Sequence, residues 1–227
     1  MAQAVLSPSQ LATFAFNRGA CRYFGREPVS PGPEELEIAL TDLRKVQGDA
    51  LIVGGIAVIH YGYERVTKDI DLLYAHSDSK ILERLKPFFK VVVKAKSGWH
   101  TLEHRKNKVC LELIPEGGLG RCGLIPGPQL AGQGHEGVVS LYGLVWLKLI
   151  ASRPNDMGDL YRLAQDRLDD MRRIVTRLPD ELRPEFDSIL KRAEEDLKND
   201  PHRRPDKAQE APKKYGKKKA LRKKRTG

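Results

Sequence analysis

The stretch LIVGGIAVIHYGYERVTKDIDLLY, residues 51–74, decides how this chain is read. Ala50 to Val53 is an apolar run short enough for a buried strand. Gly54 and Gly55 follow at once. Ile56 to Tyr63 reads as a short helix with Ile56, Ala57 and Ile59 inward, and Arg65 to Lys68 is polar. From Asp69 to Tyr74 carboxylates first alternate with apolar residues, which is a strand signal. Successive strand side chains point to opposite faces, so Asp69 and Asp71 share one.

That spacing has a chemical meaning. Two carboxylates at i and i+2 lie close enough to share hard divalent cations, which take oxygen ligands. Two such ions can bracket an in-line phosphoryl displacement. Two glycines at a strand-to-helix junction let backbone approach phosphate oxygens, with helix N-terminal N–H groups aimed at them. A third carboxylate is available downstream. Glu112 lies in VCLELI, residues 109–114; if Leu111 and Leu113 face the core, Glu112 faces the other way. An acidic residue inside an apolar strand is unusual for a plain core position.

Outward from this centre, Glu34 to Gln47 has helical spacing, with Leu36, Leu40, Leu43 and Val46 on one face. Ser77 or Asp78 is a candidate cap for a helix running to about Phe88. Val91 to Val93, Leu102 to His104 and Val109 to Ile114 read as strands, the last two as a hairpin across Lys106 to Lys108. Gly117 to Gly137 is a long Gly/Pro-rich loop. Helices are expected at Val138 to Ser152, at Asn155 to Leu168 and from Pro179 to Asn199, with Pro184 early in the last. Ser7 to Phe16 is a candidate short helix, and residues 28–33 form a turn-rich linker. The order implies an α/β (α+β) fold. A small mixed sheet is flanked by helices, with C-terminal helices and a disordered basic tail. The boundaries are 1–33 for an N-terminal segment and linker, 34–135 for the core, 136–200 for a helical portion and 201–227 for the tail.

The 227 residues carry a formal net charge of +10, but the charge is unevenly placed. Residues 201–227 hold twelve Lys or Arg against Asp206 and Glu210, so the body is formally neutral. The basic balance therefore describes the tail, a candidate non-specific RNA contact through counterion release. Cys21, Cys110 and Cys122 show no zinc-ligand spacing and no even-numbered disulfide framework. No apolar run is long enough for a membrane span, and the N-terminus lacks a signal-peptide plan. A cytoplasmic protein without a membrane partner is expected.

Gly54-Gly55, then Arg65, Thr67 and Asp69-Ile-Asp71, resembles the Gly-Gly … Arg-x-Thr-x-Asp-x-Asp signature of the nucleotidyltransferase superfamily. The branch it is most similar to is the minimal and AbiEii-like group, which includes toxins of bacterial toxin–antitoxin systems. The resemblance covers roughly residues 50–165. It implies a nucleotidyltransferase fold in which Gly54 and Gly55 hold a nucleoside triphosphate. Asp69 and Asp71 would bind two Mg²⁺ ions, and Glu112 would complete the catalytic and metal site. The AbiEii-like group also has a downstream helix bearing Lys, followed by acidic residues. Leu147-Lys148 with Asp156 and Asp159 is similar, and Lys148 would meet the phosphates. Arg65 and Thr67 complete the nucleotide-binding set; Arg65 either orients a carboxylate or meets phosphate.

The resulting expectation is a Mg²⁺-dependent transfer of a nucleotide from an NTP to an acceptor hydroxyl. RNA such as tRNA is favoured on account of the tail, ahead of a protein side chain or a small molecule. A toxin role with an antitoxin partner is what the resemblance admits. Two alternatives stand beside it: an inactive copy of the fold that binds RNA or regulates, and an antibiotic-modifying small-molecule transferase. Several residues have plainer readings. His60, His100, His104 and His135 are scattered and read as structural; Trp99 and Trp146 read as packing. Asp156 and Asp159 read as exposed helix-start charges that suit the dipole.

Overall fold

The computed structural model describes residues 32–117, 130 and 134–199. The expected helix at 7–16, the linker at 28–33 except its last two residues, Cys21, Cys122, most of the 117–137 loop and the tail 201–227 lie outside the described residues.

The chain opens with α1 (Pro33–Arg44). Proline in the first turn loses no helical bond, and Glu34 and Glu35 sit where the dipole favours them. Leu36, Ala39, Leu40 and Leu43 form its buried stripe. β1 (Leu51–Val53) follows, and α2 (Gly54–His60) starts at the glycine pair itself, two residues before the sequence suggests. β2 (Asp69–Tyr74) has the bounds its alternation predicts.

α3 (Ile81–Leu85) is much shorter than the helix expected over 77–88. Asp78 does not cap it. Its carboxylate instead takes both terminal nitrogens of Arg84, at 2.9 and 2.5 Å. Pro87 then ends the helix because it has no N–H to donate to the preceding turn, although Lys86 before it keeps helical angles (φ −50°, ψ −37°). β3 (Phe89–Lys94), β4 (His100–His104) and β5 (Cys110–Pro115) complete the sheet, in the order β1-β2-β5-β4-β3. β2 and β5 are parallel; the other neighbours are antiparallel.

One face of the sheet is apolar. Ile52, Ile70, Leu72, Leu102, Leu111 and Leu113 are all fully buried. The opposite face carries Asp69, Asp71, Cys110 and Glu112. Both edges are blunted. Beyond β1, Ile52 exchanges backbone bonds with Gly137 and Val139, so residues 137–139 cover that edge. β3 carries Lys90, Lys94 and a register shift between Val91 and Val93, devices that discourage strand pairing.

Because Val138 and Val139 are used in this way, α4 (Leu141–Ala151) starts later than the apolar run suggests. Ser140 caps it by accepting from the Gly143 N–H. α5 (Pro154–Asp166) follows, and then α6 (Leu168–Val175), which the sequence reading missed. The break falls at Arg167, whose guanidinium donates to the Tyr61 carbonyl and lies over its ring. α7 (Arg183–Asn199) places Pro184 in its first turn, where proline is tolerated, and packs on α5 and α6. Among the described residues no helix is long and apolar enough to cross a membrane.

Candidate active site

The register of the sheet assembles the carboxylates. Asp71 pairs with Val53 on β1 and with Glu112 on β5, and Glu112 pairs with Thr101 on β4. These side chains form one row across the polar face. In the next row Asp69 stands beside Cys110. Asp69, Asp71 and Glu112 are therefore neighbours on one face, as the alternation of each strand requires.

The two glycines are fitted against this row. Gly54 has φ +62°, and a Cβ there would meet Asp71 Oδ2 at 1.8 Å. A Cβ on Gly55 would meet Thr67 Oγ1 at 2.5 Å. So the start of α2 lies directly on Asp71 and Thr67. Thr67 is buried, and its hydroxyl donates to the Asp69 carbonyl at 3.3 Å and approaches Oδ1 at 3.4 Å.

Asp71 is crowded by negative charge. Burial first, and Asp69 second, push its carboxyl up to about 6, with Glu112 adding; Lys148 and Arg153 pull the other way. Among the described residues no Lys or Arg forms an ion pair with Asp69 or Asp71. The Cys110 thiol is pushed up to about 12 by burial, then by Glu112 and the two aspartates. Glu112 is held differently. Trp99 Nε1 donates to Oε2 at 2.8 Å, and Thr101 Oγ1 donates to Oε1 at 3.1 Å.

These residues fit a divalent cation at the aspartate pair. The donors are hard oxygens, they repel each other, and among the described residues no cationic side chain is in ion-pair contact with them. They do not form a finished three-ligand cage: among the described residues, no three carboxylate, histidine or cysteine side chains converge to hold an ion as a set. Glu112 stands in register with Asp71, but its oxygens are engaged by Trp99 and Thr101.

The expectation that Asp156 and Asp159 are exposed is overturned. Both are 4 % exposed, and Lys148 is 5 % exposed between them. Lys148 Nζ donates to Asp156 at 2.9 Å and to Asp159 at 2.6 Å. Arg153 binds Asp156 at 2.6 Å from the other side, and Arg65 pairs with Asp159. Burial alone would raise the Asp156 carboxyl, but hydrogen bonds from Arg153 and Lys148 hold it below its ordinary value. Of the two roles expected for Arg65, the structure shows a carboxylate contact, and the carboxylate is Asp159. A helix-start reading is local, whereas this burial is set by an ammonium on the preceding helix.

A cavity of about 290 Å³ joins the two groups. Gly54, Asp71 and Trp99 line one side, and Lys148, Arg153 and Asp156 another. Trp99, Thr101 and Arg153 were missed as site residues. Counting outward from the expected hairpin turn at 106–108 would have put Leu102 opposite Glu112. The turn is one residue longer, spanning 105–108, and the register it sets puts Thr101 there. Arg153 has no sequence signal beyond preceding Pro154. Of the four histidines read as structural, His104 is fully buried and bonded to Asn107 and Asp42.

No family model and no curated protein sequence matches this chain. Among solved structures it is similar to the antibiotic-resistance factor ANT(2'')-Ia, described in solution with substrate-regulated conformation dynamics. The TM-score is 0.42 and the identity 18 %, over 73 % of this chain and 96 % of that one.

Proposed function

We propose that this chain transfers a nucleotide from a nucleoside triphosphate to an acceptor hydroxyl, with Mg²⁺ at Asp69 and Asp71. One observation carries the reading. An aspartate pair without an ion-pair partner, whose Asp71 is in register with Glu112 and pressed against a Gly-Gly helix start, borders a cavity walled by Lys148 and Arg153. That arrangement suits a ligand bearing both phosphate and divalent cations.

When bound, the two ions would neutralise charge on the phosphates, held by Asp69 and Asp71 with Glu112 as the third oxygen ligand. The chain's own residues do the remainder. Gly54 and Gly55 let the helix start close onto Asp71 and Thr67, so that its N–H groups would meet phosphate oxygens beside the metal site. Thr67 fixes Asp69. Lys148 and Arg153 supply positive charge where negative charge develops on the leaving pyrophosphate, and Arg65 holds Asp159 so that Lys148 keeps its place. The acceptor oxygen bonds to the α-phosphorus as the α–β bridge breaks, and pyrophosphate leaves. RNA is the favoured acceptor, with the tail 201–227 as an added contact. A toxin restrained by an antitoxin is the biological setting the resemblance points to.

The test is transfer of label from each nucleoside triphosphate in turn, with Mg²⁺ and total tRNA, against Asp69→Ala/Asp71→Ala. Label on RNA or protein that requires both aspartates supports the reading and names the acceptor class. No label with any nucleotide, together with Mg²⁺-independent RNA binding, overturns it in favour of an inactive copy of the fold. Growth arrest on induction, abolished by the same double substitution, tests the toxin role.

A further inference from the structure

A second cleft, of about 640 Å³, opens beside the candidate active site. It is within the range of roughly 300–1,000 Å³ typical of ligand pockets. Tyr63 and Arg65 approach it from the segment before β2; Asp159, Tyr161 and Arg162 come from α5, and Arg192 from α7. The two cavities share the first turns of α5. The chain of ion pairs Asp156–Lys148–Asp159–Arg65 forms the partition between them.

The charge in this cleft is not balanced. Asp159 is already shared by Lys148 and Arg65. Among the described residues Arg162 and Arg192 have no carboxylate within ion-pair distance. Both are instead ranged over the Tyr161 ring, at 5.7 and 5.2 Å from its centroid. Tyr161 is itself fixed by hydrogen bonds involving Asp196 and Gln165. Exposed arginines on a helix are often only solvated. Here two guanidiniums from different helices converge on one anchored aromatic ring, inside a concavity next to the carboxylates. Guanidiniums suit phosphate oxygens, and tyrosine faces suit stacked bases. A polycationic small molecule would meet like charge.

We infer that this cleft seats the acceptor of the reaction proposed above, and that the acceptor is a single-stranded polynucleotide. Arg162 and Arg192, held over Tyr161, take backbone phosphates, and Tyr63 offers a face to a base. The strand end passes over the Arg65–Asp159 partition toward Asp69 and Asp71. The inference rests on the transfer reading for the direction of the strand, but the cleft is tested separately.

The test uses the full chain and a short unstructured single-stranded RNA, read by anisotropy across a salt series and by hydrogen exchange. Arg162→Glu/Arg192→Glu is compared with Lys90→Glu/Lys94→Glu, an equal charge change on the far edge strand. RNA should protect α5 and α7 in the unaltered chain. The arginine pair should weaken binding on the order of tenfold at low salt and flatten the log–log salt slope by roughly 0.7 for each lost contact. That protection should disappear with it, and the lysine pair should leave the protection in place. Binding weakened equally by both pairs, or no protection of α5 and α7 in the unaltered chain, overturns the inference. Protection of residues 51–74 by Mg²⁺ and a nucleoside triphosphate is the separate control. If it is absent while RNA still protects α5 and α7, the transfer reading fails and the cleft stands.

Discussion

Asp71 is held in a place that disfavours its own charge. Burial and the neighbouring Asp69 raise its carboxyl from 3.8 to about 6. A raised carboxyl contributes stability in full below its unfolded value and loses it as pH rises through the folded one. The metal-free protein should therefore lose stability between about pH 4 and pH 7 on account of this group. Asp71→Asn removes the titration. In chelator, urea unfolding near pH 8 should find the variant more stable by up to ~3 kcal/mol, with the two proteins equal near pH 4. Adding Mg²⁺ near pH 8 should stabilise the parent and not the variant. A difference between the two that does not change with pH would remove the electrostatic account. Gly54 makes the complementary point. Its φ of +62° and the 1.8 Å approach of Asp71 Oδ2 leave no place for a methyl group. Gly54→Ala should destabilise by ~2–4 kcal/mol, from a left-handed backbone and overpacking together. The same change displaces Asp71, so transfer should fall further than the folded fraction does, as measured by rate per folded molecule.

Elements were legible where local pattern and packing agree. β2 matches its sequence bounds because alternating carboxylates and leucines fix both the pleat and the faces. The hairpin of β4 and β5 was legible as an element, but its register was not: the expected turn at 106–108 would pair Leu102 with Glu112, and the observed turn at 105–108 pairs Thr101 with it. α3 and α6 were not legible, because side-chain contacts set their ends: Arg84, within α3, takes Asp78 from the cap, and Arg167 turns to the distant Tyr61. The Asp156 and Asp159 pair failed for the same reason. Their partner Lys148 is on α4, and only the packing of α4 on α5 buries all three. This junction yields a prediction of its own. Lys148→Met keeps the bulk of the side chain but leaves two buried carboxylates with Arg153 and Arg65 alone. The variant should lose about 3 kcal/mol, since breaking a buried pair leaves an uncompensated charge. Adding Asp159→Asn to Lys148→Met should recover part of that loss, because the orphaned charge goes with it. Urea unfolding of the single and double variants measures both terms. A double variant weaker than the single one would show that Asp159 stabilises through Arg65 instead.

Across the whole molecule, charge and shape would divide the work of binding on the proposed reading. The net charge of +10 is carried by residues 201–227, and the rest of the chain is formally neutral. A neutral body has little long-range pull on a polyanion, so attraction should come from the tail and placement from the Arg162–Arg192 cleft. The tail follows directly on α7, and Asn199 lies about two turns beyond Arg192. On the proposed reading, a strand gathered by the tail would be delivered beside the cleft. The two contributions differ in how they respond to salt and to deletion. A chain ending at Asn199 should bind single-stranded RNA far more weakly at low salt, and its salt slope should be shallower by roughly 0.7 per phosphate contact removed. The loss should be uniform across RNA sequences, because counterion release carries no sequence information. Transfer at saturating RNA should persist, since Asp69, Asp71 and the cleft are untouched. Steady-state transfer against RNA concentration separates the terms: a rise in KM with kcat unchanged is expected. A fall in kcat at saturating RNA would mean that the tail acts in the reaction itself, and would move the acceptor contact away from α5 and α7.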